Sequence, residues 1–213
     1  MAQWYRNALA QSFSAKSVDW DSDTLKLTLH TSSYTPDLNG HVFVSSLTNE
    51  LSTAGGYTSG GVTLTSPTVT YTAADSWGTS RANSTAYTVG QIVRPAVANG
   101  FLYRCAVAGT SAASTPSFTS PAPVVGANIA DGAGALVWDT VGSGIIVLDA
   151  ADASWATATF TGVRYGVISD RTPGTAATQP LLGLIDFGSD QAAGGGAFTI
   201  QFDSQGILQL LIP

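Results

Sequence analysis

The sequence predicts a mainly β protein: an antiparallel β-sandwich or barrel with one short N-terminal helix and a small inserted β module. Short apolar or alternating runs recur at roughly 10–15-residue intervals, separated by turn-forming residues. Charged residues make up only 10% of the 213 residues, and the 23 glycines suit many turns. Helical segments do not alternate with these runs, so a parallel α/β sheet is not expected.

The helix is predicted over residues 2–16. Tyr5, Leu9 and Phe13 recur at near-helical spacing, and Trp4 lies beside them. A helix of this length is marginal in isolation and must dock on another surface. We therefore expect these four side chains to form its docking face, and we treat them as a candidate assembly interface.

Strands follow in the first third of the chain. Leu25, Leu27 and Leu29 alternate with polar residues, which predicts a half-buried strand with His30 on its polar face. Residues 42–51 fit either a short strand or a helical turn. Two further strand-like pieces are expected at residues 62–64 and 69–71.

The last third of the chain holds the remaining predicted strands. The turn residues Asp203–Gly206 predict that the final two strands form a hairpin. In order, the expected strands span residues 144–150, 157–161, 163–169, 181–188, 198–202 and 207–212.

The stretch from Trp77 to Trp138 is rich in aromatic residues and lies between two groups of strands, neither of which is large enough to close a sandwich. Small polar residues flank it, as an insertion point at an exposed loop requires. We therefore predict a discontinuous host domain, residues 1–73 plus 144–213, and an inserted small β module, residues 74–143.

The net charge of −6 and the pI of about 4.5 disfavour nucleic-acid binding, which needs clustered basic residues. No apolar run is long enough for a membrane span, and the N-terminus lacks the apolar region of a signal peptide. We expect synthesis in a cytoplasm, with no membrane insertion. The only cysteine, Cys105, lies in an alternating run and is expected to be a buried structural thiol.

Catalytic and metal-binding patterns are not expected. His30 and His41 have no third ligand at a useful spacing. The acidic run Asp19, Asp21 and Asp23 resembles the start of a calcium loop, but the glycine at position six and the glutamate at position twelve are missing. A solvated turn is the simpler interpretation. No cofactor is expected.

Two other patterns also fall short of a site. Asp186 and Asp190 are interpreted as strand-end residues and not as a catalytic pair. The glycine pairs are not followed by the lysine of a phosphate-binding loop.

The aromatic residues of the insert have two possible roles. A module this small needs them in its core. Exposed rings could instead stack on sugar rings, and Trp77, Tyr87 and Tyr103 are the candidates for such stacking. The aromatic residues of the insert are Trp77, Tyr87, Phe101, Tyr103, Phe118 and Trp138.

The spacing of these residues resembles a β module found in tailed-phage virion proteins, which is similar to small chitin- and cellulose-binding modules of families 5 and 12. Phe118 stands where those modules usually carry tryptophan. The matching positions are Trp77, the Tyr87-x-x-Gly90-x-x-Val93 run, Gly100-x-x-Tyr103, Pro116, Asp131-Gly132 and Trp138.

The flanking halves resemble a family of tailed-phage structural proteins in which the segment between Tyr71 and Ile145 is often short. The resemblance implies a virion component, in the head, neck or tail. It is carried by the run from Leu25 to Pro36, by Leu47–Leu51, by Gly56–Leu64, by Ala158–Phe160, by Arg164-Tyr165 and by Leu182–Gly188.

These resemblances predict a non-enzymatic bacteriophage structural protein, made in the host cytoplasm and located in the virion. Its expected partners are other virion proteins and further copies of itself, and the projecting module is a candidate for binding host-surface glycans. One alternative is a dedicated carbohydrate-binding protein. A more remote alternative is a polysaccharide depolymerase, which would need two close carboxylates in a cleft.

Overall fold

The computed structural model describes residues 2–15, 18–116, 118 and 124–212, except for the side chains of Leu9 and residues 13–15. It confirms a mainly β protein with several antiparallel sheets and one short α-helix. The first half contains β1 (Gln3–Trp4), α1 (Arg6–Ala15), β2 (Leu25–Thr31), β3 (Val62–Thr63), β4 (Thr68–Ala73), β5 (Ala86–Tyr87), β6 (Ile92–Val93) and β7 (Leu102–Val107). The second half contains β8 (Gly109–Thr110), β9 (Asn128–Ala130), β10 (Val137–Gly142), β11 (Gly144–Asp149), β12 (Ala153–Ala158), β13 (Val163–Asp170), β14 (Leu181–Gln191), β15 (Gly196–Ile200) and β16 (Leu208–Ile212).

The chain forms two compact units. The first comprises Met1–Val69 and Leu148–Leu208, and the second comprises Thr70–Val147 and Gln209–Pro213. The division falls within β4, β11 and β16, which form a three-stranded sheet in the order β16–β11–β4. The second unit therefore takes in the C-terminal residues, which the sequence analysis assigned to the host domain.

The first unit is built on a five-stranded sheet in the order β1–β14–β13–β2–β3. Its central strand, β13, pairs antiparallel with β2, where Val167 lies opposite Thr28, and with β14, where Val167 lies opposite Leu184. Large side chains pack on both faces of this sheet. Tyr5 and Tyr34 belong to the cluster on one face, and Trp155 belongs to the larger cluster that contains the leucines of β2.

Burial on both faces corrects the expectation for β2. Leu25, Leu27 and Leu29 are buried as predicted, but Thr28 and His30 are buried as well. The alternation of the sequence is real, yet the face that carries Thr28 and His30 is covered because the cluster with Tyr5 and Tyr34 packs there. His30 is therefore not on a solvated face.

Several element boundaries also differ from expectation. Residues 3 and 4 form β1, which pairs with β14, so the helix begins only at Arg6. Of the two alternatives for residues 42–51, a short strand or a helical turn, the helical turn is found, as a short 3-10 helix at Val44–Ser46. The strand expected at residues 157–161 lies earlier, at Ala153–Ala158.

The predicted C-terminal hairpin is wrong. β15 pairs with β12, where Trp155 lies opposite Phe198, and β16 is the neighbour of β11. The expected turn does form, since Gly206 has a φ of 95° and its N–H donates to the Asp203 carbonyl at 2.8 Å. An alternating run identifies a strand, but it carries little information about which strand it pairs with.

The second unit contains a four-stranded sheet, β6–β7–β10–β9, and the two-stranded ladder β5–β8. Its core is aromatic, and Cys105 lies within it, fully buried as predicted. Burial, with a smaller contribution from Asp139, raises the pKa of the Cys105 thiol. The side chains of this cluster are Tyr87, Val93, Tyr103, Cys105, Phe118, Leu136 and Trp138. A second buried cluster of the unit contains Ala74, Trp77, Ile92, Leu102, Val141 and Ile145.

A buried ion pair lies beside this aromatic core. Arg81 binds Asp131 in a bidentate manner, Nη2 to Oδ1 at 2.7 Å and Nε to Oδ2 at 2.9 Å, and neither side chain has any exposure. The indole of Trp138 and the Ala112 N–H also donate to this carboxylate, at 2.8 and 2.9 Å. Burial alone would oppose ionisation, but these hydrogen bonds outweigh it and lower the pKa of Asp131.

We predict that Asp131→Ala destabilises the second unit by about 3–5 kcal/mol, because it leaves the Arg81 charge buried and unpaired. The matched control is Asp139→Ala, which removes the partly exposed Arg104–Asp139 pair (3.2 Å) and should cost less than about 1 kcal/mol. Hydrogen exchange of the β7 and β10 amides in urea measures both. Equal losses in the two variants would contradict this assignment.

Candidate functional site

The three aromatic residues expected to stack on sugars are buried. Trp77 is 6% exposed, Tyr87 is 7% exposed and Tyr103 has no exposure. A sugar ring needs an open aromatic face, so these residues do not form a stacking platform. The alternative role in the core fits their burial.

Their polar atoms are satisfied inside the second unit. The indole N–H of Trp77 donates to the Ile92 carbonyl at 3.2 Å. The Tyr87 hydroxyl accepts the Ala82 N–H at 2.7 Å. The Tyr103 hydroxyl donates to the Phe118 carbonyl at 3.1 Å. Through these bonds the three aromatic side chains are buried with their polar atoms hydrogen-bonded.

The candidate assembly interface at the N-terminus is also corrected where it is described. Tyr5 is fully buried, and its hydroxyl is 2.8 Å from that of Tyr34. Trp4 is half-buried and packs against the main core of the first unit. The side chains of Leu9 and Phe13 lie outside the described part of the structure. Tyr5 and the helix pack on a sheet face of their own unit. Tyr5 is therefore not available as an assembly contact.

His30 occupies a structural position. Its Nδ1 lies 2.8 Å from the Thr48 carbonyl, which can only accept, so Nδ1 carries the proton. Its Nε2 then accepts from the Thr28 hydroxyl at 2.9 Å. Burial lowers the pKa of His30, which agrees with this neutral tautomer. Both ring nitrogens are thus engaged within the first unit.

His41 ends a short hydrogen-bonded chain. Its Nδ1 is 3.0 Å from the Tyr34 hydroxyl and also accepts the Asp37 N–H at 3.4 Å. Because Nδ1 accepts, Tyr34 donates to it and Tyr5 donates to Tyr34. Burial is the main reason that the pKa values of both tyrosines are raised.

The acidic residues do not converge on a cation site. Asp23 accepts the Asp19 N–H at 2.7 Å, which closes a turn, and Asp21 is exposed. Asp186 pairs with Arg164 at 2.8 Å, and Asp190 accepts from Ser32 at 3.4 Å. Among the described residues, no three histidine, cysteine, aspartate or glutamate side chains are placed to hold a metal ion.

The buried carboxyl of Asp170 lacks full hydrogen bonding. Asp170 has no exposure, and its Oδ1 accepts the Thr172 N–H at 2.7 Å. Its Oδ2 has no hydrogen-bond partner among the described atoms. Burial raises the pKa of Asp170, and the neighbouring Asp23 carboxyl raises it further. The environment therefore favours the protonated acid.

The sequence predicts a strand at residues 69–71 but does not mark it as a site, and the corresponding strand β4 is an exposed feature of the structure. Five of its six residues are exposed and Thr72 is half-buried. Tyr71 is 60% exposed and is the one exposed aromatic among the side chains described. Val69 on the same strand is exposed too. The signal was present in the sequence: β-branched and aromatic residues without a charge, directly after Pro67.

The ring of Tyr71 lies over Gly144, the first residue of the adjacent strand β11. A Cβ atom at position 144 would be 2.6 Å from this ring, far inside van der Waals contact. The Tyr71 ring therefore packs closely on Gly144, while Tyr71 as a whole remains 60% exposed.

Strand β4 also ends its sheet. In the order β16–β11–β4 it has β11 on one side and no described strand on the other. An edge strand presents unpaired backbone N–H and C=O groups, and folded proteins usually protect such edges with charges, proline or a covering segment. None of the six residues of β4 is charged or a proline. The strand is a candidate interaction surface.

Comparison with protein-family models, with curated proteins and with solved structures finds no match to this chain. The one α-helix in the described residues, ten residues long, falls short of what a membrane crossing needs.

We predict that Asp170→Asn makes the first unit more stable at neutral pH. A carboxyl whose pKa is raised on folding supports the fold fully below its unfolded pKa, and this support is lost as pH rises through the folded pKa. Asparagine keeps the Thr172 bond and does not ionise. Wild type and variant should therefore converge below about pH 4 and diverge above it.

The control is Asp186→Asn, for which the expected change in stability with pH has the opposite sign. Arg164 and the Gly188 N–H lower the pKa of Asp186, so its ionised form supports the fold above its ordinary pKa and loses this effect as pH falls. The control should be slightly destabilised at neutral pH. Urea unfolding from pH 3 to 8, followed by exchange of the β13 amides, measures both. A stability difference for Asp170→Asn that does not change with pH would refute the prediction.

Proposed function

We propose that this protein is a non-enzymatic structural component of a tailed-phage virion, placed in the head, neck or tail, that works by binding other protein subunits. The observation that carries the proposal is the exposed, uncharged edge strand β4. The resemblance of the flanking segments to tailed-phage structural proteins supports the setting.

The physical reason for expecting a binding role is that the edge strand β4 is exposed and carries no charge. Strand β4 consists mainly of residues that favour β structure, five of its six residues are exposed, and none of them is charged. An edge strand of this kind tends to form backbone hydrogen bonds with a strand of another chain. In a particle, a neighbouring subunit can cover it permanently, and the low charge of the chain suits burial between subunits. In the assembled particle, the edge that could cause aggregation would instead form a contact between subunits.

Location in a particle tests this proposal. We expect antibodies against the full chain to label purified virions, and mass spectrometry to find the chain at a fixed ratio to the major capsid protein. The control is a host cytoplasmic protein, carried through the same purification, which should be lost. Absence of the chain from particles that remain infectious would reject the proposal.

Glycan binding is a second candidate function, favoured by the exposure of Tyr71. An exposed aromatic ring can stack on the apolar face of a sugar, and the ring of Tyr71 packs closely on Gly144 while Tyr71 remains 60% exposed. Since Trp77, Tyr87 and Tyr103 are buried, the stacking residue in this candidate is Tyr71.

For this candidate we expect the full chain to bind on a glycan array, Tyr71→Ala to lose at least tenfold in affinity, and Tyr71→Phe to bind nearly as wild type. Loss of one stacking ring accounts for the size of the effect, because about 1.4 kcal/mol corresponds to a factor of ten. Tyr103→Phe is a further control, since that ring is buried. Wild-type protein that binds no glycan on the array would rule this function out.

A further inference from the structure

We infer that strand β4 pairs with β4 of a second copy of this chain, antiparallel and about a two-fold axis at Thr70. The inference rests on the proposed assembly role, for which it names the partner. In this register Thr70 lies opposite Thr70 of the second copy, Val69 lies opposite Tyr71, and Thr68 lies opposite Thr72.

The backbone of β4 has the correct groups on its free side. The Ala74 N–H donates to the Ser143 carbonyl at 2.9 Å, just before β11 begins. Backbone groups of alternate residues in an extended strand point to the same side. Those of Thr70 and Thr72 therefore face β11, and those of Val69 and Tyr71 face the open edge.

This orientation matches the proposed register. Two antiparallel strands exchange hydrogen bonds between residues whose backbone groups face each other. Val69 of each copy would exchange both bonds with Tyr71 of the other. The two Thr70 residues would then form the closely spaced pair that exchanges no backbone hydrogen bond.

The side chains are complementary in the same register. Residues 68–72 read Thr-Val-Thr-Tyr-Thr, so reversing the strand keeps threonine opposite threonine and valine opposite the aromatic residue. Val69 and Tyr71 project from one face, where aromatic and β-branched side chains pair favourably across strands. The threonines project from the other face, where their hydroxyl groups can bond to each other.

Charge and register both favour this contact. The net charge of −6 makes two copies repel at most surfaces, but no charged residue lies between Glu50 and Asp75. Pro67 lacks an N–H and precedes the strand, so the ladder cannot extend past it. A slip of one residue would place Val69 and Tyr71 opposite threonines and remove the matched pairs.

Cysteine cross-linking of the full chain tests the register. Cys105 is buried, so it does not compete for oxidation. Under mild oxidation we expect Thr70→Cys to give a covalent dimer, because this position faces itself. Thr68→Cys alone should not cross-link, whereas a mixture of Thr68→Cys and Thr72→Cys should. Val97→Cys, at an exposed position outside any strand, is the control. Cross-linking of Thr70→Cys no faster than that of Val97→Cys overturns the register.

A charge exchange tests the association itself. Sedimentation should show concentration-dependent dimers for wild type, monomers for Thr70→Lys and for Thr70→Glu, and dimers again when these two variants are mixed. Circular dichroism confirms that each variant is folded, and Val97→Lys should dimerise as wild type does. Wild-type protein that stays monomeric, or that captures a different protein through β4 while monomeric, overturns the inference.

The outcomes separate this inference from the proposed function. A dimer in solution from a chain that is absent from particles rejects the virion role alone. A chain found in particles whose Thr70→Cys variant fails to cross-link rejects the β4 pairing alone.

Discussion

The first unit depends on the pairing of β13 with β2 on one side and β14 on the other. Because β13 is central, its side chains are enclosed on both faces, and each face needs its own cover. The helix and Tyr34 supply one cover, and the β12–β15 ladder supplies the other. Two-sided burial then forces every polar group in the middle of the sheet to find a partner. Thr28 and His30 satisfy each other in this way, and Asp170, at the end of β13, is satisfied only in part.

The second unit meets a different constraint, since a small module has little interior to fill. Its aromatic rings supply much of the apolar volume, and the Arg81–Asp131 pair links segments that would otherwise be loops. The carboxylate of Asp131 accepts from a side chain before β5, from the backbone after β8 and from an indole on β10. The polar interior of this unit therefore positions chain segments that have few strand bonds of their own.

How far the sequence could predict these results depended on the kind of information each feature requires. Local patterns were enough for the β class, for β2, β11, β13 and β14, and for the turn at Asp203. Alternation could not reveal that the second face of β2 is covered, since a hydrogen-bonded Thr28 and His30 look the same in sequence as solvated ones. It also could not show that β15 pairs with β12, which requires knowledge of distant partners.

The candidate sites also depended on burial by residues distant in sequence, which local patterns could not predict. Aromatic residues in a small module were expected either to bind or to fill the core, and composition could not decide between these roles for Trp77, Tyr87 and Tyr103. Tyr71 lies outside the aromatic-rich stretch, so the clustering of aromatic residues does not identify it, although the β-branched and aromatic composition of its strand is visible in the sequence. Exposure depends on what covers a residue in three dimensions, and that information is spread over the whole chain.

The position of β4 at one end of a three-stranded sheet has a consequence for the size of any assembly. A two-fold contact uses the same edge on both subunits, so the β4 edge of each subunit is occupied by one partner. The joined sheet would have six strands and would end on β16 at both sides. Growth through this contact would stop at two chains, because neither end presents another β4. The two-fold symmetry of the contact would therefore limit an assembly built through β4 alone to a closed dimer.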